Sequence, residues 1–181
     1  HSFSTRRSSD LLSGILRPSA GKVFLGETDL YSLSDKELSQ LRNKSFGVIP
    51  QGQTGLFSLT VFQNILTPAS IYGDTEEYEE RARKLLSEVG LSDLANSKLS
   101  ELSGGEMRRM AIARALLLNP DIVFADEPTD DLDDENTRRV LELLQKIARS
   151  GKSVLLVTHE ASAADYADVI YRMDAGNLIN Q

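Results

Sequence analysis

The sequence predicts an α/β protein whose mostly parallel sheet is interrupted by an inserted helical segment. Three short runs are continuously apolar, which is typical of parallel strands buried on both faces; they are FGVIP at 46–50, DIVFA at 121–125 and SVLLVT at 153–158. Segments with apolar residues at helical spacing separate these runs, as in sheets covered by helices. Strand signals fade over 52–118, so we expect an α/β core formed by 1–51 and 119–181 around a helical insert.

Before the first buried strand, the sequence predicts a disordered or appended start over 1–10, a helix over 11–16, a strand over 22–25 with a turn at 26–27, and a helix over 34–43. Arg17-Pro18 ends the first helix, because proline disfavours helical geometry in the residue before it. Ser34 is expected to be the N-cap of the second helix, with Glu37 at the capping-box position.

The insert is expected to contain helices over 61–66, 74–89 and 103–118, the second of them strongly charged and ended by Gly90. The third helix begins at Ser103, where Gly104 and Gly105 would leave backbone N–H groups open to an anion at the positive end of the helix dipole. The simpler alternative is that Ser103 is only an N-cap, with Glu106 completing a capping box. After the insert we expect a helix over 132–150, a strand over 168–173 and a turn at 175–177 into a last short strand.

Composition and charge exclude several classes of function. The 181 residues carry a net charge of -7, which argues against broad nucleic-acid binding because that needs clustered Lys and Arg. There is no cysteine and there are only two histidines, so thiolate and multi-histidine metal sites are not expected. No apolar run approaches the length of a membrane span, and the start does not resemble a signal peptide, so we expect a cytosolic chain.

Polar residues follow each of the three buried strands. Gln51 follows the first, Asp126 and Glu127 follow the second, and His159 follows the third. Ligands of open parallel sheets bind beyond these strand ends, and two adjacent carboxylates at a buried edge need a cation or donors. Nucleoside triphosphate hydrolysis fits this set: Asp126 would hold Mg²⁺, Glu127 would act as general base, His159 would bond the γ-phosphate, and Gln51 would contact the metal and the water.

The motifs resemble those of the nucleotide-binding subunits of ATP-binding cassette (ABC) transporters. The matching segments are LSGGE at 102–106 with AIARAL at 111–116, IVFADEP at 122–128, Leu132-Asp133, Gln51 and His159. In the family these are the signature, the Walker B strand with its catalytic glutamate, the D-loop, the Q-loop and the H-loop. SLTVFQNI at 58–65 and PASIYG at 68–73 resemble the subgroup that includes lipoprotein-releasing and macrolide-efflux ATPase subunits.

The resemblance implies a RecA-like, P-loop NTPase type of core that binds ATP and Mg²⁺. It also implies a head-to-tail homo- or heterodimer, in which each ATP lies between the phosphate loop of one subunit and the signature of the other. Nucleotide-binding residues would then be Gln51, Leu102, Ser103, Gly104, Gly105, Glu106 and Asp133. A transmembrane permease would contact the helical insert beside Gln51, which places the chain at the cytoplasmic face of a membrane.

The sequence departs from the family in two places. The 181 residues contain no G-x-x-x-x-G-K-[ST] phosphate loop; its lysine is expected near Thr5, where 3–7 read FSTRR. We therefore expect an N-terminally truncated or altered ATPase that binds ATP poorly by itself, and an open edge on the strand 153–158. The D-loop is unusually acidic, and Asp130 and Asp131 are expected to be neutral in effect.

Two alternatives to an active ATPase subunit remain. The chain could be a non-catalytic module that donates LSGGE in trans to the ATP site of an intact partner. It could also be the cassette of a DNA-repair or translation protein, although the acidic charge and the absence of a coiled-coil or zinc insert count against that class.

Overall fold

A central three-stranded parallel sheet organises the fold. The computed structural model describes residues 9–52, 54–71, 73, 75–174 and 177–180. The strands of the sheet are β3 (Phe46–Ile49), β4 (Ile122–Asp126) and β5 (Ser153–Val157), in the order β3-β4-β5. All three lie where the apolar runs predict them. The expected phosphate-loop position near Thr5 and the first two residues of the expected turn at 175–177 lie outside the described residues.

Two antiparallel hairpins accompany the sheet. The first joins β1 (Phe24–Leu25) to β2 (Thr28–Asp29), and the second joins β6 (Tyr171–Asp174) to β7 (Asn177–Asn180). The first hairpin turns at Gly26, whose φ of 58° is left-handed and which carries no Cβ to oppose it. The predicted strand over 22–25 is therefore shorter than expected, and the strand over 168–173 begins later.

Six α-helices are present in the described part of the chain: α1 (9–12), α2 (Asp35–Ser45), α3 (Val61–Ser70), α4 (Glu79–Glu88), α5 (Gly104–Leu116) and α6 (Asp134–Arg149). The predicted capping box of α2 is confirmed, because the Ser34 side chain accepts from the Glu37 N–H and the Glu37 carboxylate accepts from Ser34. None of the described helices is both long and apolar enough to cross a membrane.

Three helices differ clearly in length from the sequence-based expectation. The helix predicted over 74–89 is α-helical only over Glu79–Glu88 and is preceded by a 3₁₀ turn, Glu76–Tyr78. The helix predicted over 11–16 already includes residues 9 and 10, which the sequence predicts as part of a disordered or appended start. It ends at residue 12, because Gly14 takes a φ of 74° and the Ile15 N–H turns back to the Asp10 carbonyl at 2.8 Å. Helix α3 runs past residue 66 and includes Pro68. Proline lacks the N–H that would bond the Asn64 carbonyl, and the Thr67 hydroxyl donates to that carbonyl instead, at 2.8 Å.

The helices between β3 and β4 share one apolar core with the sheet. Met110 and Ile112 of α5 are fully buried in the same cluster as Ile49 of β3 and Val123 of β4. A smaller cluster on α2 and the sheet includes Phe46 and Phe124. The helical segment is thereby anchored to the strand ends that carry the predicted site. Among the described residues, β5 is an edge strand of the parallel sheet.

Candidate functional site

The predicted site residues meet where the parallel strands end. Ile49 is paired with Ala125, and Asp126 is paired with Val157. This register brings the residues that follow β3, β4 and β5 to one edge of the sheet. The structure therefore gathers Gln51, Glu127 and His159 around the end of β4, as the spacing of the apolar runs predicts.

Glu127 and His159 form a hydrogen-bonded pair. The Nδ1 atom of His159 lies 3.0 Å from Oε2 of Glu127, and the His159 backbone N–H donates to the same oxygen at 3.3 Å. The Glu127 side chain is 18% exposed and the His159 side chain is 75% exposed. The hydrogen bond to Glu127, and then its negative charge, raise the pKa of His159. The pair therefore favours a protonated imidazole at an open surface.

The backbone of Glu127 is held in a conformation that glutamate rarely adopts. Its φ is 45°, in the left-handed region, and its N–H donates to the Val157 carbonyl of β5 at 2.8 Å. Such a conformation costs of order 1 kcal/mol and persists only where the surroundings fix it. The bond to β5 is one such constraint, and it carries the carboxylate out of the strand direction toward His159.

Gln51 lies beyond the end of β3 and contacts the turn that follows β4. Its Nε2 donates to Oδ2 of Asp130 at 3.0 Å, and its Oε1 is buried with no hydrogen-bond partner among the described residues. A buried amide oxygen without a donor suits a hard cation, and Asp126, half-buried at the end of β4, supplies a carboxylate nearby in the sheet. These donors fit Mg²⁺ bound by few protein ligands, with substrate phosphates and water as the remainder.

The part of the chain that the structure describes contains no cluster of three or more His, Cys, Asp or Glu side chains suited to a metal ion. The carboxylates around Asp126 therefore do not form a closed protein cage.

Arg108 is a site residue that the sequence does not reveal. It is only 6% exposed, and its Nη1 donates to the Pro50 carbonyl at 2.9 Å, next to Gln51. Burial lowers the pKa of Arg108, while the charges of Asp130 and Asp131 raise it. Its position two residues after Glu106 in a helix gives no hint of this role. The burial depends on how α5 packs against the strand ends.

The LSGGE segment opens α5 with a complete capping box. The Ser103 hydroxyl accepts from the Glu106 N–H at 3.3 Å, and the Glu106 carboxylate accepts from both the N–H and the hydroxyl of Ser103 at 2.8 Å. These bonds hold the pKa of Glu106 below its ordinary value. Gly104 and Gly105 have N–H groups without an acceptor in the described structure. The N-cap and the open amides are therefore both present.

A second group of contacts ties the signature to the D-loop. Asp133 is the N-cap of α6, and its carboxylate accepts from the N–H and from Nδ2 of Asn136, each at 2.8 Å. Arg109 donates to Oδ1 of Asn136 at 3.3 Å, and the Cα of Gly105 faces the same side chain. The bonds from Asn136 lower the pKa of Asp133. Leu102, half-buried, leads into this group from the preceding turn.

The hydrogen bonds thus place the predicted residues in two groups. One contains Gln51, Glu127 and His159 at the strand ends, near Asp126. The other contains the signature, 102–106, with Asp133. The turn 127–132 runs from the first group to the second.

An α/β core with these motifs in this order defines the nucleotide-binding class of cassette proteins, and comparison with known proteins agrees. A profile of the ABC transporter family matches residues 9–130. The chain belongs to the ABC transporter family and is of the type of its ATP-binding subunits.

The relatives include members of the subgroup that the sequence indicates. The chain is 41% identical, over 165 residues, to the lipoprotein-releasing system ATP-binding protein LolD of Aquifex aeolicus, covering 91% of this chain and 74% of that protein. It is 36% identical to the macrolide export ATP-binding/permease protein MacB of a Shewanella species, covering 94% of this chain and 27% of that protein. It is 40% identical to the LolD protein of Leptospira interrogans, and it covers 65% of that protein's length.

A solved structure shares the fold. It is the dimeric, post-hydrolysis state of an ATP-binding cassette bound to ADP and Pi, with a TM-score of 0.85 and 31% sequence identity. The match covers 96% of this chain and 77% of that one. The predicted fold class, a P-loop NTPase-like core with a parallel sheet, is confirmed.

Proposed function

We propose that this chain is the ATP-hydrolysing subunit of a membrane transporter of the lipoprotein-release or efflux type. The observation that carries the proposal is the Glu127–His159 pair at the joined ends of β4 and β5. A carboxylate that is mostly shielded and bonded to an exposed imidazole suits a base beside a phosphate-binding surface. The similarity to LolD and MacB supports the choice of transporter subgroup.

In this proposal the residues at the strand ends divide the tasks of ATP hydrolysis. The Glu127 carboxylate takes the proton of the attacking water, and His159 bonds the γ-phosphate and holds Glu127 in place. Asp126 and Gln51 would hold Mg²⁺, which supplies charge neutralisation to the phosphates when bound. The rate acceleration comes from positioning and from stabilisation of charge, because the protein takes little part in the covalent chemistry of phosphoryl transfer.

The signature acts toward a second subunit in the same proposal. Leu102, Ser103, Gly104, Gly105 and Glu106, with Asp133, would contact ATP held by a neighbouring copy or homologue. The open N–H groups at the start of α5 support this, because a helix N-terminus favours phosphate. The separation of the signature group from the strand-end group also supports it, and a homo- or heterodimer is the expected assembly.

A transmembrane permease is the proposed membrane partner. A groove of about 300 Å³ lies where α2, β3, α3 and α5 meet. Its lining includes Val48, which is 40% exposed, and Ile71, which is 73% exposed, beside the cations Arg42 and Arg114. We take 52–118 as a helical subdomain, which supplies Ile71 and Arg114 to this groove, and 1–51 and 119–181 as the core, which supplies Arg42 and Val48. The chain would then sit at the inner face of the membrane as a peripheral subunit.

The direct test is to supply a phosphate loop. The 181-residue polypeptide is expected to bind MgATP very weakly and not to hydrolyse it, because backbone amides of that loop do most of the phosphate binding. A chimera in which the phosphate-loop segment of the Aquifex aeolicus relative replaces residues 1–8 should hydrolyse ATP. The control is the same chimera with the loop lysine replaced by alanine. Tight MgATP binding by the 181 residues, or a chimera as inactive as its control, would contradict the proposal.

A non-catalytic role is the second candidate, favoured by one observation. The signature group is complete in its hydrogen bonds, with a full capping box at Ser103 and Asp133 bonded to Asn136. In that role the chain completes the ATP site of an intact partner. Mixing it with a homologue that has a phosphate loop but a disabled signature should restore ATP hydrolysis. Failure of this mixture, together with an active chimera, would exclude the non-catalytic role.

A further inference from the structure

The acidic turn after β4 contains a residue with a specific contact. The Asp130 N–H donates to the Glu127 carbonyl at 3.2 Å, which closes a tight turn right after Glu127. From this turn the Asp130 carboxylate reaches Gln51, 79 residues earlier in the chain, and accepts from its Nε2 at 3.0 Å. The contact joins the residue after β3 to the turn after β4. From the sequence alone, Asp130 is expected to be a neutral departure in the acidic D-loop.

The chemistry of the pair sets the orientation of the Gln51 amide. An ionised carboxylate only accepts hydrogen bonds, whereas a glutamine amide has a donating NH₂ on one side and an accepting oxygen on the other. Asp130 therefore selects the orientation in which the NH₂ faces it. The oxygen, Oε1, then faces the opposite side, where it is buried without a donor among the described residues.

Arg108 holds the backbone beside Gln51 in the same way. Its Nη1 donates to the Pro50 carbonyl at 2.9 Å, and it is 6% exposed. The negative charges of Asp130 and Asp131 favour the charged guanidinium against the cost of its burial. Gln51 is thus fixed twice, at its backbone by α5 and at its side chain by the turn after β4.

We infer that Asp130 is a positioning residue that turns the Gln51 amide so that its oxygen is offered to the metal. The inference rests on the proposed function, because it assigns Gln51 to Mg²⁺. Gln51 touches the metal and Asp130 acts only through it. Removing such an outer partner typically weakens metal binding about ten- to a hundredfold.

Nuclear magnetic resonance of the 181-residue chain tests the orientation directly. The side-chain NH₂ signals of Gln51 are assigned by their loss in Gln51→Leu. Asp130→Ala removes the acceptor, and Asp131→Asn removes one negative charge from the neighbouring residue as a control. Asparagine is chosen there because Asp131 has a φ of 60°, which Asn tolerates. We expect protected, well-separated NH₂ signals in the parent and in Asp131→Asn, and water exchange at least about tenfold faster in Asp130→Ala.

Mn²⁺ together with ADP, added to the phosphate-loop chimera, serves as a paramagnetic probe of the metal step, because the nucleotide phosphates supply the metal ligands that the protein side chains do not. The parent in this test is the chimera without further substitution. Mn²⁺ should broaden the Gln51 side-chain signals of the parent and of Asp131→Asn, and in Asp130→Ala about tenfold more Mn²⁺ should be needed. Unchanged Gln51 signals in Asp130→Ala, or equal effects of the two variants, would overturn the inference while leaving the proposed function standing. A parent in which Mn²⁺ broadens neither Gln51 nor Asp126 would contradict the proposed metal site itself, and the inference with it.

Discussion

Replacing Gly105 by alanine should destabilise the protein even though alanine is the better helix former. A Cβ at this position would lie 2.3 Å from Oδ1 and 2.5 Å from Cγ of Asn136. Real Cβ atoms do not approach so closely, so the Asn136 side chain has to move. It is not a free chain end, since Nδ2 donates to Asp133 at 2.8 Å and Oδ1 accepts from Arg109 at 3.3 Å.

The magnitude follows from the two bonds that are lost. Each partly exposed hydrogen bond contributes about 1 kcal/mol, so moving Asn136 costs about 2 kcal/mol. Alanine returns about 0.5–1 kcal/mol over glycine in a helix. The net loss is about 1 kcal/mol or slightly more. Gly104→Ala is the matched control, because its Cβ would meet only Cδ2 of Leu132 at an ordinary 3.6 Å. That variant should be neutral or more stable by up to about 1 kcal/mol.

Urea unfolding of both variants measures the difference, which should be about 2 kcal/mol. A double-mutant cycle adds a check, because in an Asn136→Ala background the penalty of Gly105→Ala should disappear. A Gly105→Ala variant that is as stable as Gly104→Ala, or that keeps its penalty without Asn136, would refute the proposed clash with Asn136. Glycine at position 105 would then be needed for a reason other than its contact with Asn136.

Three further predictions concern the strand ends and the core. The pKa of His159 lies above its ordinary 6.5 and should fall in Glu127→Gln. A pH titration of the His159 imidazole signals in nuclear magnetic resonance measures this pKa. Because the pKa of His159 is raised in the folded state, the stability from this pair is fully present below about pH 6.5 and is lost as the pH rises through the folded pKa. The parent and Glu127→Gln should therefore converge in stability in urea melts at alkaline pH. Stabilities that diverge at alkaline pH would contradict this prediction. Arg108→Met should cost about 1–3 kcal/mol by leaving the partly buried Pro50 carbonyl without its donor, and an unchanged urea midpoint would count against the contact. Gly47→Ala should cost about 1–3 kcal/mol, because its Cβ would lie 2.6 Å from a backbone oxygen of α5; a neutral effect in thermal unfolding would show that the sheet can yield.

The sheet and the residues at its strand ends could be predicted because local signals agree there. Continuous apolar runs mark β3, β4 and β5, and parallel pairing then brings Gln51, Glu127 and His159 to one edge. The capping boxes at Ser34 and Ser103 are encoded within four residues of sequence, so they were also accessible. Fold class and motif positions therefore follow from short-range patterns.

The contacts that join distant segments could not be predicted. Arg108 follows the signature in α5, and only the packing of this helix shows that Arg108 is buried against Pro50. Asp130 stood out as an unusual acid, but its partner lies 79 residues away. From the sequence, a glycine at position 105 is explained by the close approach of a phosphate. The structure adds a second reason, because the Asn136 side chain leaves no room for a Cβ there. Such pairings depend on tertiary placement, which no local period encodes.

Glu127, as the proposed base for the attacking water, is the residue on which the proposed hydrolysis depends most. Single-turnover ATP hydrolysis by the phosphate-loop chimera, with and without Glu127→Gln, tests this most directly. We expect the substitution to slow the chemical step by about 10²–10⁴-fold while ATP binding persists, since an amide can still bond but cannot take a proton. Hydrolysis in Glu127→Gln within about tenfold of the unsubstituted chimera would contradict the account.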